Sequence, residues 1–362
     1  MKGPINPDRL IAAIRNLEIF VNDCLGLEPK TDKLSGFEYV FDLATAAVTN
    51  SYVETVAEHA DSLHRAIKAV ALDRVVDAYA RRVKALGPRY GVGERDVILA
   101  FDHTHEDYYG RLDSTYLHAW TGEHAVTGHW KFLTCSIVNP EGPKVPLLSL
   151  PTPIGYDVSK QVDFILDRVR GPVKGILLTL WDRGFYTWPL LKKLDEKGVP
   201  YLVFAPKNEQ VKRELEAMEP GESRIKTYEF SYAKDKTTHR GTTMQAFLKQ
   251  VFDARNEKHY DWAFATNTDT VELDSIIKTY KQRWRIETGF RVQDEARIKT
   301  KSKEAAIRYF YHAFEQALQF TWGAQFKQDA PFKSFLLQLY ETSKARVARE
   351  KTKQARRAGP GA

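Results

Sequence analysis

Cysteine is nearly absent from this 362-residue chain. Its two cysteines, Cys24 and Cys135, lie far apart and form no Cys-x2-Cys pair. That spacing argues against a disulfide framework or a zinc finger and fits a reducing compartment. Long apolar runs are missing too: no stretch approaches the ~20 residues needed to cross a bilayer. The N-terminus, MKGPINPDRLIAAIRNLEIF, has no long apolar core and no small-residue cleavage site, so it does not read as a signal peptide. There is no Gly-x4-Gly-Lys loop to support ATP-driven chemistry, and no internal repeat. The expectation is a soluble cytoplasmic protein with no membrane partner and no use of ATP.

What is present is enough for large cores: 43% hydrophobic and 12% aromatic residues. The formal charge of +7 suggests an anionic partner without establishing one. Residues 8–86 read as helical, with Leu10, Ile14, Leu17 and Val21 at spacings of three and four, and Gly87–Pro88 stopping the last helix. The pattern changes at VILAF (97–101), an apolar run of the kind a strand buried on both faces shows. Two further strands follow, around residues 129–139 and 144–150, joined by the turn PEGP. Helix 157–169, strand 174–181, helix 187–198 and strand 199–206 come next. A meander followed by alternating helices and strands is the order of an α/β fold of the ribonuclease-H-like type, a mixed sheet flanked by helices; the alternative is a generic α/β sheet, and the early meander before the first helix favours the former.

Residues 207–265 read as a small β-rich insertion. A long helix is expected over about 271–295 and an aromatic one over 304–322. The expected domains are an N-terminal helical one (1–95), a catalytic one (96–330) and a basic helix or tail (331–362) that is frayed or disordered. Its stretch from Lys344 onward holds seven Lys or Arg against one acid.

Two aspartates follow apolar strands: Asp102 after VILAF and Asp182 after ILLTLW. If the strands are neighbours, the two carboxylates converge into an oxygen-rich site suited to Mg2+ or Mn2+; if not, each is an ordinary strand-end cap. On the long helix Tyr280, Arg283, Glu287 and Arg291 share a face at about 100° per residue. From Lys278 to Lys303 there are nine Lys or Arg against three acids, more than a balanced surface helix carries. His103 and His105 would point away from Asp102 on a strand. With His118, His124 and His129 they leave a zinc site open as a minor reading. Glu106 and Asp107 read as solvated turn residues, and Trp188 as packing.

Together AFDHT, LWDRGF and YKQRWRIETGFR resemble the DDE transposases of bacterial and archaeal insertion sequences, in the branch with a Tyr-x2-Arg-x3-Glu helix. The resemblance spans roughly residues 96–325. It implies a ribonuclease-H-like core and Asp102, Asp182 and Glu287 as catalytic metal ligands for two Mg2+, with Mn2+ as a substitute. It implies Tyr280 and Arg283 as helpers near the DNA, and Arg291, Arg297, Lys299 and Lys301 as further DNA-binding candidates. It also implies double-stranded DNA partners (terminal inverted repeats and target), a homodimer in the synaptic complex and a nucleoid-associated location. Where the fuller motif has a lysine seven residues after the glutamate, this chain has Asp294. The activity implied is DNA cleavage at transposon ends and strand transfer into target DNA. The alternatives are an endonuclease of the same fold without strand transfer, and a catalytically silent DNA-binding relative.

Overall fold

The computed structural model describes residues 4–28, 34–120, 125–234, 237–253, 257–268 and 272–358. Helices come first: α1 (Pro7–Leu25), α2 (Gly36–Thr49), the single turn α3 (Val53–Val56), α4 (Ala60–Lys68) and α5 (Leu72–Leu86). The side chain of Asn6 caps α1, and Ser35 with Glu38 forms a capping box on α2, satisfying amide donors that a helix start leaves free. Leu10, Ile14, Leu17 and Val21 are all buried, as their spacing predicts. The chain leaves α5 at Gly87 and passes through a 3-10 turn (Pro88–Tyr90) toward the sheet.

The sheet begins with β1 (Val97–Tyr108), β2 (Leu117–Ala119), β3 (Gly128–Ile137) and β4 (Pro146–Pro151). Then come α6 (Val158–Val169), β5 (Ile176–Trp181), α7 (Trp188–Glu196) and β6 (Tyr201–Phe204). β3 lies antiparallel between β1 and β4, while β5 and β6 run parallel to β1 and to each other. The resulting order, β4-β3-β1-β5-β6, is the mixed ribonuclease-H-like sheet. The short β2 pairs with the far end of β3. After α8 (Glu209–Glu216), the strands β7 (Ser223–Lys234), β8 (Thr237–Asp253) and β9 (Lys258–Thr266) follow. β9 pairs antiparallel with β6, and β8 and β7 continue outward, so the β-rich segment extends the central sheet.

β1 does not stop at Phe101. Its pairing with β5 ends at Phe101–Trp181, but its pairing with β3 continues to Tyr108–Gly128. Glu106 and Asp107, expected in a turn, are therefore strand residues. Asp107 is exposed, whereas only 12% of the Glu106 side chain is accessible.

The long helix expected over 271–295 is two: α9 (Leu273–Tyr280) and α10 (Trp284–Asp294), separated by a 3-10 turn at Lys281–Arg283. A 3-10 turn has three residues per turn, so residues three apart stand one above the other. That stacks Arg283 over Tyr280. α11 (Ala305–Gln325) follows; Ile307, Phe310, Phe314 and Leu318 are buried as their stripe predicts, but so are His312, Glu315, Gln316 and Gln319. The chain closes with α12 (Phe332–Ala358). The described part of the basic tail, expected to be frayed or disordered, continues α12 as far as Ala358. Phe332, Phe335, Leu336 and Leu339 are buried on a face that meets α1, α2 and α11, and Arg346 and Lys351 pair with Glu18 and Glu58.

Among the described residues three apolar clusters line the sheet, the smallest of them beneath α8 with Val211, Leu215 and Phe247. The largest one runs continuously from α1, α2 and α5 through α11 and α12 and includes Leu99, Phe101 and Trp181. Phe101 stacks on Trp181 at 4.2 Å between ring centroids, across the β1–β5 pair. The second cluster holds Ile98, Ala100, Leu180 and Leu202 beneath Ile276, Tyr280 and Ile286 of α9 and α10. It seats the helical segment over the strands that carry the two aspartates. Cys24 and Cys135 are buried and free. No described helix is long and apolar enough to cross a membrane.

Candidate active site

Side chains alternate along a strand, so Asp102 follows Ala100 onto the face beneath α9 and α10, and Asp182 follows Leu180 onto the same face. Because Phe101 pairs with Trp181 on adjacent parallel strands, the two aspartates stand side by side one step beyond. Asp182 holds an extended backbone (φ −76°, ψ 167°) at the entry to the turn Arg183–Phe185. Glu287, in the first turn of α10, faces them from above, where a helix start favours negative charge.

Arg283 joins these elements. Its Nη1 donates to Asp102 Oδ2 at 2.8 Å and its Nη2 to Glu287 Oε1 at 2.7 Å. The forked guanidinium suits such a two-carboxylate grip, and a lysine would reach only one of the pair. Arg283 is 7% exposed and Glu287 42%, so the site runs from a sealed base to an open rim. Asp102 Oδ1 also accepts from the His103 amide at 2.8 Å. Burial pushes the Asp102 carboxyl up to about 6; Arg283 and the His103 amide pull it down, and Asp182 and Glu287 add to the rise. Burial acts against the charge of Arg283, but Tyr280 and the three acids around it carry its affinity for the proton above the ordinary value.

The donor set fits a hard divalent cation. It is all carboxylate oxygen, it carries three acids against one arginine, and the like-charge repulsion felt by Asp102 is what a cation relieves. Arg283 now bridges Asp102 and Glu287. A second cluster is tighter: among the described residues, the one group of three whose ligand atoms all lie within 4.8 Å of one another is Glu106, His312 and Glu315. Its chemistry suits a cation poorly. Arg308 lies 3.7 Å from Glu106, and His312 lies 3.8 Å from it. Glu315 accepts from the Ile298 amide (2.7 Å) and Gln293 (3.1 Å), and burial, with Glu106 beside it, pushes its carboxyl up to about 8. Burial works against the Glu106 charge, but His312, Arg297 and Arg308 together hold that carboxyl below its ordinary range. The set is neutralised from within. None of its members stood out in the sequence as a ligand. The available signal was polar His312, Glu315, Gln316 and Gln319 recurring along an otherwise aromatic helix.

The other candidates are dispersed. Tyr280 is 3% exposed, with its ring 5.0 Å from Phe264 and 5.7 Å from Phe204, so it supports Arg283 from the core. Arg291 is exposed. Arg297 is turned inward: Asp294 lies 3.5 Å away, and Glu106 and Glu315 raise its affinity for the proton against the effect of burial. Lys299 and Lys301 are exposed on a segment docked to the N-terminal helices. The Lys299 amide donates to Ser51 O at 3.1 Å, and the Lys301 ammonium lies 5.8 Å from the Tyr52 ring centroid. His103 and His105 point away from Asp102. His103 stacks on Phe185 at 5.1 Å, and His105 lies 5.7 Å from His129. The tight cluster among the described residues includes neither of them, nor His118 or His129. His124 lies outside the described residues. Trp188 fills the space a side chain at Gly241 would need.

Residues 156–308 match the family model of the transposase DDE domain. That segment, under half of the chain, contains Asp182 and Glu287 but not Asp102. The match supports a DDE transposase. In fold the chain is similar to a piggyBac transposase, solved by cryo-EM as a synaptic complex with hairpin DNA. The two share 13% identity with a TM-score of 0.59, over 96% of this chain and 84% of that one. At that identity the likeness speaks for the fold. No curated protein matches the chain by sequence.

Proposed function

We propose that this chain is a metal-dependent transposase of the insertion-sequence type, with a Tyr-x2-Arg-x3-Glu helix, which cuts DNA at transposon ends and joins the freed 3′ ends to target DNA. One observation carries the reading: Asp102 and Asp182 sit side by side on parallel strands, and Arg283 ties Glu287 into the same site. Asp102, Asp182 and Glu287 would hold Mg2+, two ions in full occupancy, with Mn2+ as a substitute. Such ions supply a Lewis acid for the attacking and leaving oxygens of phosphodiester chemistry.

The chain's own residues set the stage. The sheet core beneath Phe101 and Trp181 fixes the two aspartates, and Tyr280 and Arg283 fix the glutamate. In cleavage, a water oxygen bonds to phosphorus, the bond to the 3′ oxygen breaks, and a 3′-hydroxyl is released. In joining, that hydroxyl bonds to a target phosphorus and one target 3′ oxygen leaves. Arg291, Lys299 and Lys301 supply exposed positive charge for the phosphates. Arg297, facing acids, serves by holding α10 and its neighbours. In this reading the helices of residues 1–95 bind transposon ends or mediate contacts in a homodimeric synaptic complex, and the protein works in the cytoplasm on nucleoid DNA.

The test supplies a pre-cut transposon end and a supercoiled target in Mg2+. A transposase joins the two; a nuclease of the same fold nicks without joining. Asp182→Ala should abolish cleavage and joining and leave end binding intact. An Asp182→Ala protein that still cleaves in Mg2+ defeats the assignment. Intact DNA binding with no metal-dependent cleavage by the natural sequence points to the silent relative.

A further inference from the structure

The face of the sheet opposite Asp102 carries a strip of bases and rings that the acid site does not use. His105 pairs across the strands with Lys131, Asp107 with His129, and His129 with His118, so all five side chains share that face. The rings run in sequence: Trp120 to His129 at 4.8 Å, His129 to His105 at 5.7 Å, and, further along β1, His103 to Phe185 at 5.1 Å. Trp120 is 51% exposed. Among the residues paired on this face, the acid is Asp107, 3.2 Å from His129. His118 contacts the Thr152 carbonyl oxygen at 2.8 Å. Lys131 and His105 have no hydrogen-bond or ion-pair partner among the described residues, and His103 Nε2 is buried without one.

Burial first, then Lys131 and the neighbouring imidazoles, push His105 down to about 4, so Lys131 is the cation of the strip and His105 a neutral hydrogen-bonding group beside it. Trp120 meets His129 edge to face and is half exposed, and an exposed ring suits nucleotide bases, which stack on aromatics whatever their sequence.

We infer that this strip is a second DNA-contact surface, on the face of the sheet turned away from Asp102, on which Lys131 and His105 hold backbone phosphates and Trp120 takes the face of an unpaired base. It deepens the transposase reading and rests on DNA being the substrate. Lys131 and the half-exposed ring of Trp120 sit on the same face, a pairing that suits a phosphate beside a base and so favours nucleic acid over an acidic peptide.

The test measures binding by fluorescence anisotropy, with the full chain and no divalent ion, to a blunt duplex and to a duplex with a single-stranded extension. Lys131→Gln should weaken binding to both about tenfold and reduce the slope of log K against log salt by about one. Trp120→Ala should weaken binding to the extended duplex about tenfold and spare the blunt one. Lys160→Gln, an exposed change on α6, is the control. Unchanged affinity and slope in both variants, with unchanged melting temperature, overturns the inference. So does a natural-sequence chain that binds no DNA, or one whose strip prefers polyglutamate to DNA in a Lys131-dependent way. The two readings fail separately. DNA binding that depends on Lys131 and Trp120, without Mg2+-dependent cleavage, defeats the transposase and leaves the strip standing. Cleavage by variants that bind as well as the natural sequence does the reverse.

Discussion

Two acid clusters stand four residues apart on one face of β1. Asp102 belongs to the first and Glu106 to the second. Each meets arginine, yet they differ in charge balance and in access to water. Asp102, Asp182 and Glu287 share one guanidinium and reach solvent through the half-exposed Glu287. Glu106 and Glu315 are enclosed by Arg297, Arg308, His312 and Gln293, and Glu315 holds its proton. The second is the more compact; the first has the uncompensated negative charge that opens to solvent, and its proposed role rests on that. The sealed cluster acts as a brace that ties α10, α11 and the far half of β1 together.

The sharpest way to break this contrast is to neutralise one acid in each cluster. Asp102→Asn should cut Mg2+-dependent cleavage by about a thousandfold, the upper scale for removing one preorganised electrostatic group, with a melting temperature near that of the natural sequence. Glu106→Ala should do the opposite. It leaves buried Arg308 without its carboxylate, a change that costs about 3–5 kcal/mol, while cleavage per folded molecule is largely kept. Denaturant melts and single-turnover cleavage separate the two. Loss of cleavage without loss of stability in Glu106→Ala would move the reactive site to the second cluster.

The first cluster was readable in the sequence and the second was not, for a physical reason. Asp102 follows an unbroken apolar run and Asp182 one interrupted only by Thr179, as sheet burial requires, and Glu287 lies four residues beyond Arg283 on a helix. These are short-range patterns. Glu106 lies on a stretch of β1 where exposed and half-buried residues alternate, and its partners come from α10 and α11, nearly two hundred residues away. Nothing local distinguishes such an acid from a solvated one. The break in the expected long helix was equally hidden, because a 3-10 turn in YKQRWR leaves the composition of a good helix. It matters for the site, since it stacks Arg283 on Tyr280. In the tail, charge was legible and anchoring was not. The apolar residues of α12 that seal it precede the basic run that dominated the reading.

Arg283 offers a smaller, graded test. It lowers the Asp102 carboxyl that burial raises to about 6. Cation binding needs the carboxylate, so cleavage should fall as pH drops through that value. Arg283→Gln removes the nearby positive charge, so the acidic limb of the pH–rate profile should shift upward by about one unit. An unmoved midpoint would mean that Asp102 does not govern that limb.

The smallest expected effect belongs to Glu315. Its folded-state carboxyl lies near 8, against 4.5 for an ordinary glutamate. Between those values the folded chain holds a proton that the unfolded chain releases. Stability from this group is therefore fully present below about 4.5 and declines as pH rises toward 8. Glu315→Gln stays neutral at every pH. Its melting temperature should fall less than that of the natural sequence between about pH 5 and about pH 8. Glu106 runs the other way. Its carboxyl is held low, so its contribution is present above the ordinary glutamate value and is lost as the solution is acidified. If Glu106→Gln and Glu315→Gln shift the pH profile of melting in the same direction, the two acids do not divide the charge as described, and the brace loses its distinction from the open site.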